Sequence, residues 1–300
     1  MFRKSKPIEI KSVDELALMR EAGLVVAKTL ELLRAEITAG MTTADLDAIA
    51  RESIAGHGAR PSFLGYHGFP AVICTSVNEE VVHGIPGDRV IGPADIVSVD
   101  CGAIVEGWHG DAAISILMPD AADEIRQLSE VTQSSMWAGL TQARVGHHLS
   151  DIGHAVETCI RDAGPYGIVE EYVGHGIGSQ MHMHPPVPNY GKPGNGPRLE
   201  PGMALAIEPM ATLGTANVGV LDDQWTVVTD DGKPRRTGST PWRSPTTARG
   251  CLPQSKAPVC NLFCDAGRPT CFQWRYRQKW DHSPRETSSQ SPACAGKSTT

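Results

Sequence analysis

The sequence predicts an α+β fold with a mostly antiparallel sheet, and three observations carry that prediction. Helical and strand-like patterns alternate, but without the strict βαβ regularity of a parallel sheet. Glycine-rich loops separate short apolar runs of strand type. The 31 glycines and 22 prolines suit a chain with many tight turns. At 300 residues and 40% apolar content, there is material for one large domain or two small ones.

The elements follow in order. Ser12 and Glu15 form a capping box, each satisfying an orphan amide at a helix start. Leu16, Leu18, Met19, Ala22, Val25, Val26, Leu30 and Leu33 then recur with helical period. Thr42 and Asp45 open a second helix that stops near Gly56 and Gly58. A third is expected over 122–144, and a fourth begins at Ser150 and ends at Gly164. Strands are expected over 71–77, 96–101, 112–117, 203–207 and 225–229.

Composition narrows the function. No apolar run approaches the ~20 residues that span a bilayer. The amino-terminal MFRKSKPIEI lacks the apolar stretch of a signal peptide. A net charge of −7 argues against a nucleic-acid surface. The expectation is a cytoplasmic protein with neither membrane nor direct nucleic-acid partners. The charge is unevenly spread, however. Residues 1–234 carry 16 Lys+Arg against 31 Asp+Glu, whereas 235–300 carry 11 against 3. The latter stretch also holds Cys251, Cys260, Cys264, Cys271 and Cys294 of the eight cysteines, no isoleucine and two leucines.

Four motifs carry chemistry. In IVSVDCGAIVEGWHGDAAISI, Asp100 is read as ending one strand and Asp111 as starting the next, across a glycine-containing hairpin. Two carboxylates brought together that way repel unless a cation lies between them, although strand-end aspartates also serve as plain turn formers. GHGIGSQMHMHPP places His175 and His182 in a glycine-rich loop, where an imidazole is either a neutral nitrogen ligand or a solvated ring. In GMALAIEPM, Glu208 follows an apolar run read as a buried strand, so its carboxylate needs a partner, a metal or an outlet to solvent. His83 stands before the Gly-Ile-Pro turn of NEEVVHGIP and means little alone.

Each motif is weak singly, but their order and spacing over residues 8–234 resemble bacterial type I methionine aminopeptidases. The resemblance implies the pita-bread fold, with two pseudosymmetric halves of antiparallel sheet and flanking helices. It also implies a cleft holding two divalent ions, with Asp100, Asp111, His175 and Glu208 as four of five metal ligands. Oxygen donors with one imidazole suit Co, Mn, Fe(II) or Zn without choosing among them. By the same resemblance Glu208 also accepts the proton of the attacking water, His83 faces the substrate amine and peptide nitrogen, and His182 hydrogen-bonds the substrate carbonyl. Tyr66, His67, Phe69, Cys74, Met181 and Trp225 fall where the family lines its methionine slot or its rim. The implied activity is removal of the initiator methionine from nascent chains whose second residue is small, by a monomer acting at the ribosome. A proline-specific relative usually carries a large amino-terminal domain. A metal-free binding protein of this fold is the other alternative.

The pattern breaks at its end. The fifth ligand is a glutamate about thirty-one residues beyond the one matched by Glu208, and that count reaches Ser239. Residues 235–244 can be encoded by CGG CGC ACT GGG AGC ACA CCG TGG CGG TCA. Read one nucleotide out of register, the string gives Ala-His-Trp-Glu-His-Thr-Val-Ala-Val, with the glutamate in its slot and an alternating strand after it. The expectation is a catalytic domain over 1–234 that lacks its last strand, followed by a frameshifted, disordered tail over 235–300. The tail cysteines are too irregularly spaced for a zinc module.

Overall fold

The computed structural model describes residues 7–230 and, as backbone, 237–239. The helices are α1 (Val13–Glu36), α2 (Thr43–Gly56), α3 (Asp123–Gln142) and α4 (Leu149–Ala163). The strands are β1 (Arg60–Pro61), β2 (Ile73–Val77), β3 (Glu80–Val82), β4 (Ile96–Val105), β5 (Trp108–Leu117), β6 (Gly167–Ile168), β7 (Gly174–Gly176), β8 (Met183–Val187), β9 (Met210–Thr212), β10 (Val218–Val220), β11 (Val227–Thr229) and β12 (Thr237–Ser239). Every strand pair described is antiparallel.

Both predicted capping boxes form. Ser12 Oγ accepts from the Glu15 amide while the Glu15 carboxylate takes the Ser12 amide, and Thr42 and Asp45 repeat the exchange. One face of α1 buries Met19, Ala22, Val26, Leu30 and Leu33 against β4 and β5. The helix can lie this close because Gly23 crosses Gly110 of β5. A Cβ on Gly110 would run into the Gly23 backbone. In the second half α3 packs on α4 and against β9 and β12.

The central sheet sorts its residues by period two. Along β4 and β5, Val97, Val99, Cys101, Ala103, Ala112, Ile114 and Ile116 are buried on one face. Ser98, Asp100, Asp111, Ala113 and Ser115 share the other, which β2 extends with Cys74 and Ser76. The hairpin between β4 and β5 turns through Glu106 and Gly107, both at positive φ (48° and 86°). These are the values of a type I′ turn, whose twist suits adjoining strands.

Several sequence expectations need correction. Asp100 and Asp111 are not strand ends: β4 continues to Val105 and β5 starts at Trp108, so both aspartates are interior. They meet because Asp100 lies opposite Ala113 and Asp111 opposite Gly102, a diagonal pair on one face. Residues 203–207 are not a strand; they touch the sheet at one isolated bridge, Leu205 to Gly176, and the ladder resumes at β9. Helix α4 begins after His148, whose amide goes to Asp151 Oδ2 at 2.8 Å, while Ser150 Oγ instead accepts from the Asn195 amide. The backbone of β12 pairs with β9, setting Ser239 opposite Met210. The remainder of the expected tail lies outside the described residues.

Candidate functional site

The polar face of the β2–β4–β5 sheet forms the floor of a cavity, walled by β3 and His83 on one side and by residues 208–210 on the other. His175 reaches it from a Gly-His-Gly strand whose glycines are required by close packing. A Cβ at Gly174 would strike the Ala206 carbonyl, and one at Gly176 the His184 carbonyl. The strand is therefore pinned between β8 and residues 203–207. The His175 ring directs Nδ1 at the Gly176 carbonyl, 2.9 Å away, so Nδ1 carries the hydrogen and Nε2 is the free nitrogen. Nε2 lies 3.2 Å from Glu208 Oε1 and 3.7 Å from Asp111 Oδ2.

Glu208 is delivered by a segment tied to both neighbours rather than by a sheet ladder. The Ala206 amide donates to the His175 carbonyl at 2.7 Å, and Asn189 Nδ2 donates to the Glu208 carbonyl at 2.8 Å. One ligand atom from each of Asp111, His175 and Glu208 lies within 4.8 Å of the other two. Asp111 Oδ1 and Glu208 Oε1 are buried with no hydrogen-bond partner. Asp100 sits beside them, its carboxyl hydrogen-bonded to that of Asp111.

The electrostatics of this cluster are those of too many anions. Burial, then the charge of Glu208, pushes Asp100 up to about 8. Burial and the neighbouring carboxylates push Asp111 up as well. Burial opposes the charge on Glu208 and on His175 too, but their mutual attraction outweighs it, lowering the carboxyl and raising the imidazole. Two buried carboxylate oxygens without hydrogen-bond partners and an imidazole nitrogen converging on one point fit a divalent transition-metal ion. A second ion has less to hold it. Position 239 lies in the strand beside Met210, but serine offers no carboxylate there.

An aromatic wall adjoins the cluster. His182, at the exposed end of β7's loop, stacks 4.2 Å from His175, and its Nδ1 lies 2.9 Å from the Tyr66 hydroxyl. Phe69 and Trp225 meet edge to face at 5.0 Å, and the His83 ring lies 6.3 Å from Trp225. Although His182 reaches the surface, desolvation of its ring among the neighbouring side chains, then the charge of His175, holds it at about 4, and burial lowers His83 against the pull of Glu208. Both rings are therefore neutral near pH 7. His83 also adopts a left-handed backbone (φ 59°), a strained conformation for a side-chain-bearing residue.

The remaining pocket candidates divide. Cys74 is buried opposite Asp100, its thiol pushed up by burial, and lines the cavity with His83, Asp100, Asp111 and Glu208. Met181 is buried next to His182. His67 is exposed and reaches the group only through an edge contact with Tyr66. Two residues escaped the sequence reading. Tyr172 packs its ring on His83 at 5.5 Å; an aromatic three residues before His175 was a usable signal. Asn189 holds Glu208 from nineteen residues away and carries no local signature.

Residues 17–231 match metallopeptidase family M24. The chain is 50% identical over 226 residues to the methionine aminopeptidase of Clostridium acetobutylicum, covering 75% of this chain and 90% of that protein. This chain belongs to family M24, among the bacterial type I methionine aminopeptidases. Methionine aminopeptidase 1 of Mycobacterium tuberculosis is also 50% identical, over 237 residues, covering 77% and 89% of the two chains. The methionine aminopeptidase of Thermotoga maritima superposes with a TM-score of 0.76 at 38% identity, covering 79% of this chain and 94% of that one. Prolidase from Pyrococcus furiosus, at 20% identity and a TM-score of 0.57, shares the fold alone, over 77% of this chain and 64% of that one. The fold is the pita-bread fold, and the chain is a metallopeptidase of this family.

Proposed function

We propose that this chain takes the initiator methionine from nascent polypeptides with a small second residue, and that its rate is impaired. The observation that carries the proposal is the convergence of Asp111, His175 and Glu208 beside the Tyr66–Phe69–Trp225 wall. Asp111, His175 and Glu208 would hold one divalent ion, and Asp100 with Asp111 a second, less completely liganded one. Such ions would supply Lewis acidity toward the scissile carbonyl and lower the pKa of water. Glu208 would serve as the proton acceptor. His182 Nδ1 shares a hydrogen bond with the Tyr66 hydroxyl; in the tautomer where that hydroxyl donates, the Nε2 hydrogen is left to face the substrate carbonyl oxygen as charge builds there. His83, neutral and half-buried, hydrogen-bonds the peptide nitrogen and would relay to it the proton taken up by Glu208, returning to the neutral ring. Cys74, Met181, Phe69 and Trp225 accept the unbranched thioether side chain, with His67 at the rim.

Residues 1–234 form the catalytic domain in this reading, and 235–300 follow a shifted frame. Ser239 in the glutamate slot also favours a second reading, a pita-bread protein that binds peptide amino termini, at the ribosome or free, without cleaving them. Purified protein loaded with Mn(II) or Co(II) and offered Met-Ala-Ser separates the two. Slow methionine release that rises at least tenfold in Ser239→Glu supports the impaired enzyme. Binding of the peptide with no release in either form supports the binder. Full family-like turnover by the unaltered chain contradicts the proposed impairment.

A further inference from the structure

We infer that Asn189 is a positioning residue for the metal site, fixing Glu208 against His175; this rests on the metal reading above. Asn189 is fully buried, an unusual place for an amide. Its Nδ2 is spent on the main-chain oxygen of Glu208, and its Oδ1 is buried with no partner. A buried amide kept with one end unsatisfied carries a cost that an apolar side chain of the same size avoids, so the bond it makes has to matter.

The local backbone explains why. Pro209 follows Glu208, and the ladder is broken between Leu205 and β9, so the Glu208 carbonyl has no strand neighbour to serve it. Asn189 supplies the donor from the other side. It sits two residues past the end of β8, and β8 pairs with the strand that bears His175, Gly174 lying opposite Val187. The Asn189 segment is itself fixed from behind. At Gly153 of α4, a Cβ would strike the carbonyls of Pro188 and Tyr190, so the helix backbone lies directly on the chain either side of Asn189. One short path of covalent and hydrogen bonds thus runs from His175 through β8 and Asn189 to Glu208. The Ala206-to-His175 bond closes it into a loop. The two ligands are held as a unit, 3.2 Å apart.

The test is metal affinity, read by titration of the full chain with Co(II) and by the visible absorption of the bound ion. Asn189→Val keeps most of the volume and removes the donor, and Asn189→Ala removes both. Each is expected to weaken Co(II) binding about ten- to a hundredfold and to alter the Co(II) spectrum at temperatures where the protein is fully folded. Thr132→Val, which deletes an equally buried hydrogen bond to the Leu128 carbonyl in α3, controls for lost stability and is expected to leave both unchanged. Unaltered Co(II) affinity and spectrum in folded Asn189→Val overturns the inference. If the unaltered chain binds no Co(II) at all, the metal reading fails instead, and the two failures are told apart by that measurement. Should Asn189→Ala not fold, Asn189→Val decides.

Discussion

At the scale of single residues, the site depends on which atom of each ring is left free. His175 is oriented by its own neighbour's carbonyl, which turns its Nε2 toward Glu208, and His182 is held at Nδ1 by a tyrosine hydroxyl. Tyr66→Phe removes the orienting bond of His182 while preserving the ring contacts. A hydrogen bond of about 1 kcal/mol is at stake. We expect affinity for Met-Ala-Ser to fall roughly three- to tenfold with Co(II) affinity unchanged. Calorimetric titration of both ligands into the variant measures this, and a fall in Co(II) affinity would tie Tyr66 to the metal cluster rather than to the substrate.

At the scale of elements, geometry that no side chain advertises decides whether the ligands meet. Gly110 lets α1 rest on β5 one residue from Asp111. Gly110→Val must push the helix outward, and overpacking of this kind costs about 1–3 kcal/mol. Urea unfolding should show the loss, and an unchanged midpoint would mean that the contact relaxes freely. The capping boxes of α1 and α2 and the alternating strands around Asp100 were legible because they depend on residues three or two apart. The route of 203–207 was not. Five buried residues in a row (Met203, Ala204, Leu205, Ala206, Ile207) read as a strand, yet in the fold they line a junction between β7 and the core and need no ladder. Similarly, Asn189 became visible only when chain segments distant in sequence were brought together. The metal-ligand candidates were legible through their order along the chain, whereas the aspartates' diagonal pairing depends on a register that only the I′ turn fixes.

At the scale of the whole molecule, ionisation and metal binding bear on stability together. His109 is held at about 4 by burial, with the Arg60 guanidinium beside it, and His182 is held at about 4 as well. An unfolded histidine titrates near 6.5. Between these values the unfolded chain binds more protons, so stability falls as pH drops from about 6.5 toward 4. His175, Asp100 and Asp111, shifted upward, work in the opposite direction. The contribution of His109 is isolated by substitution: we expect His109→Gln to raise the urea midpoint in chelator at pH 5 relative to that at pH 7, compared with the unaltered chain. Metal works through the same cluster. An ion present at a hundred times its dissociation constant adds about 2.7 kcal/mol, or about 5–10 °C in a domain of this size. Calorimetry should show that drop on adding chelator, and should show none in His175→Ala. The pairing of β12 with β9 has a consequence of its own. A ladder is built from amides and carbonyls and is blind to what hangs from them, so almost any extended tripeptide can dock along β9. If residues 235–300 follow a shifted frame, as proposed, a free peptide Ala-His-Trp-Glu-His-Thr-Val-Ala-Val is expected to compete with β12 for the β9 edge on equal main-chain terms and would bring a glutamate to the slot of Ser239.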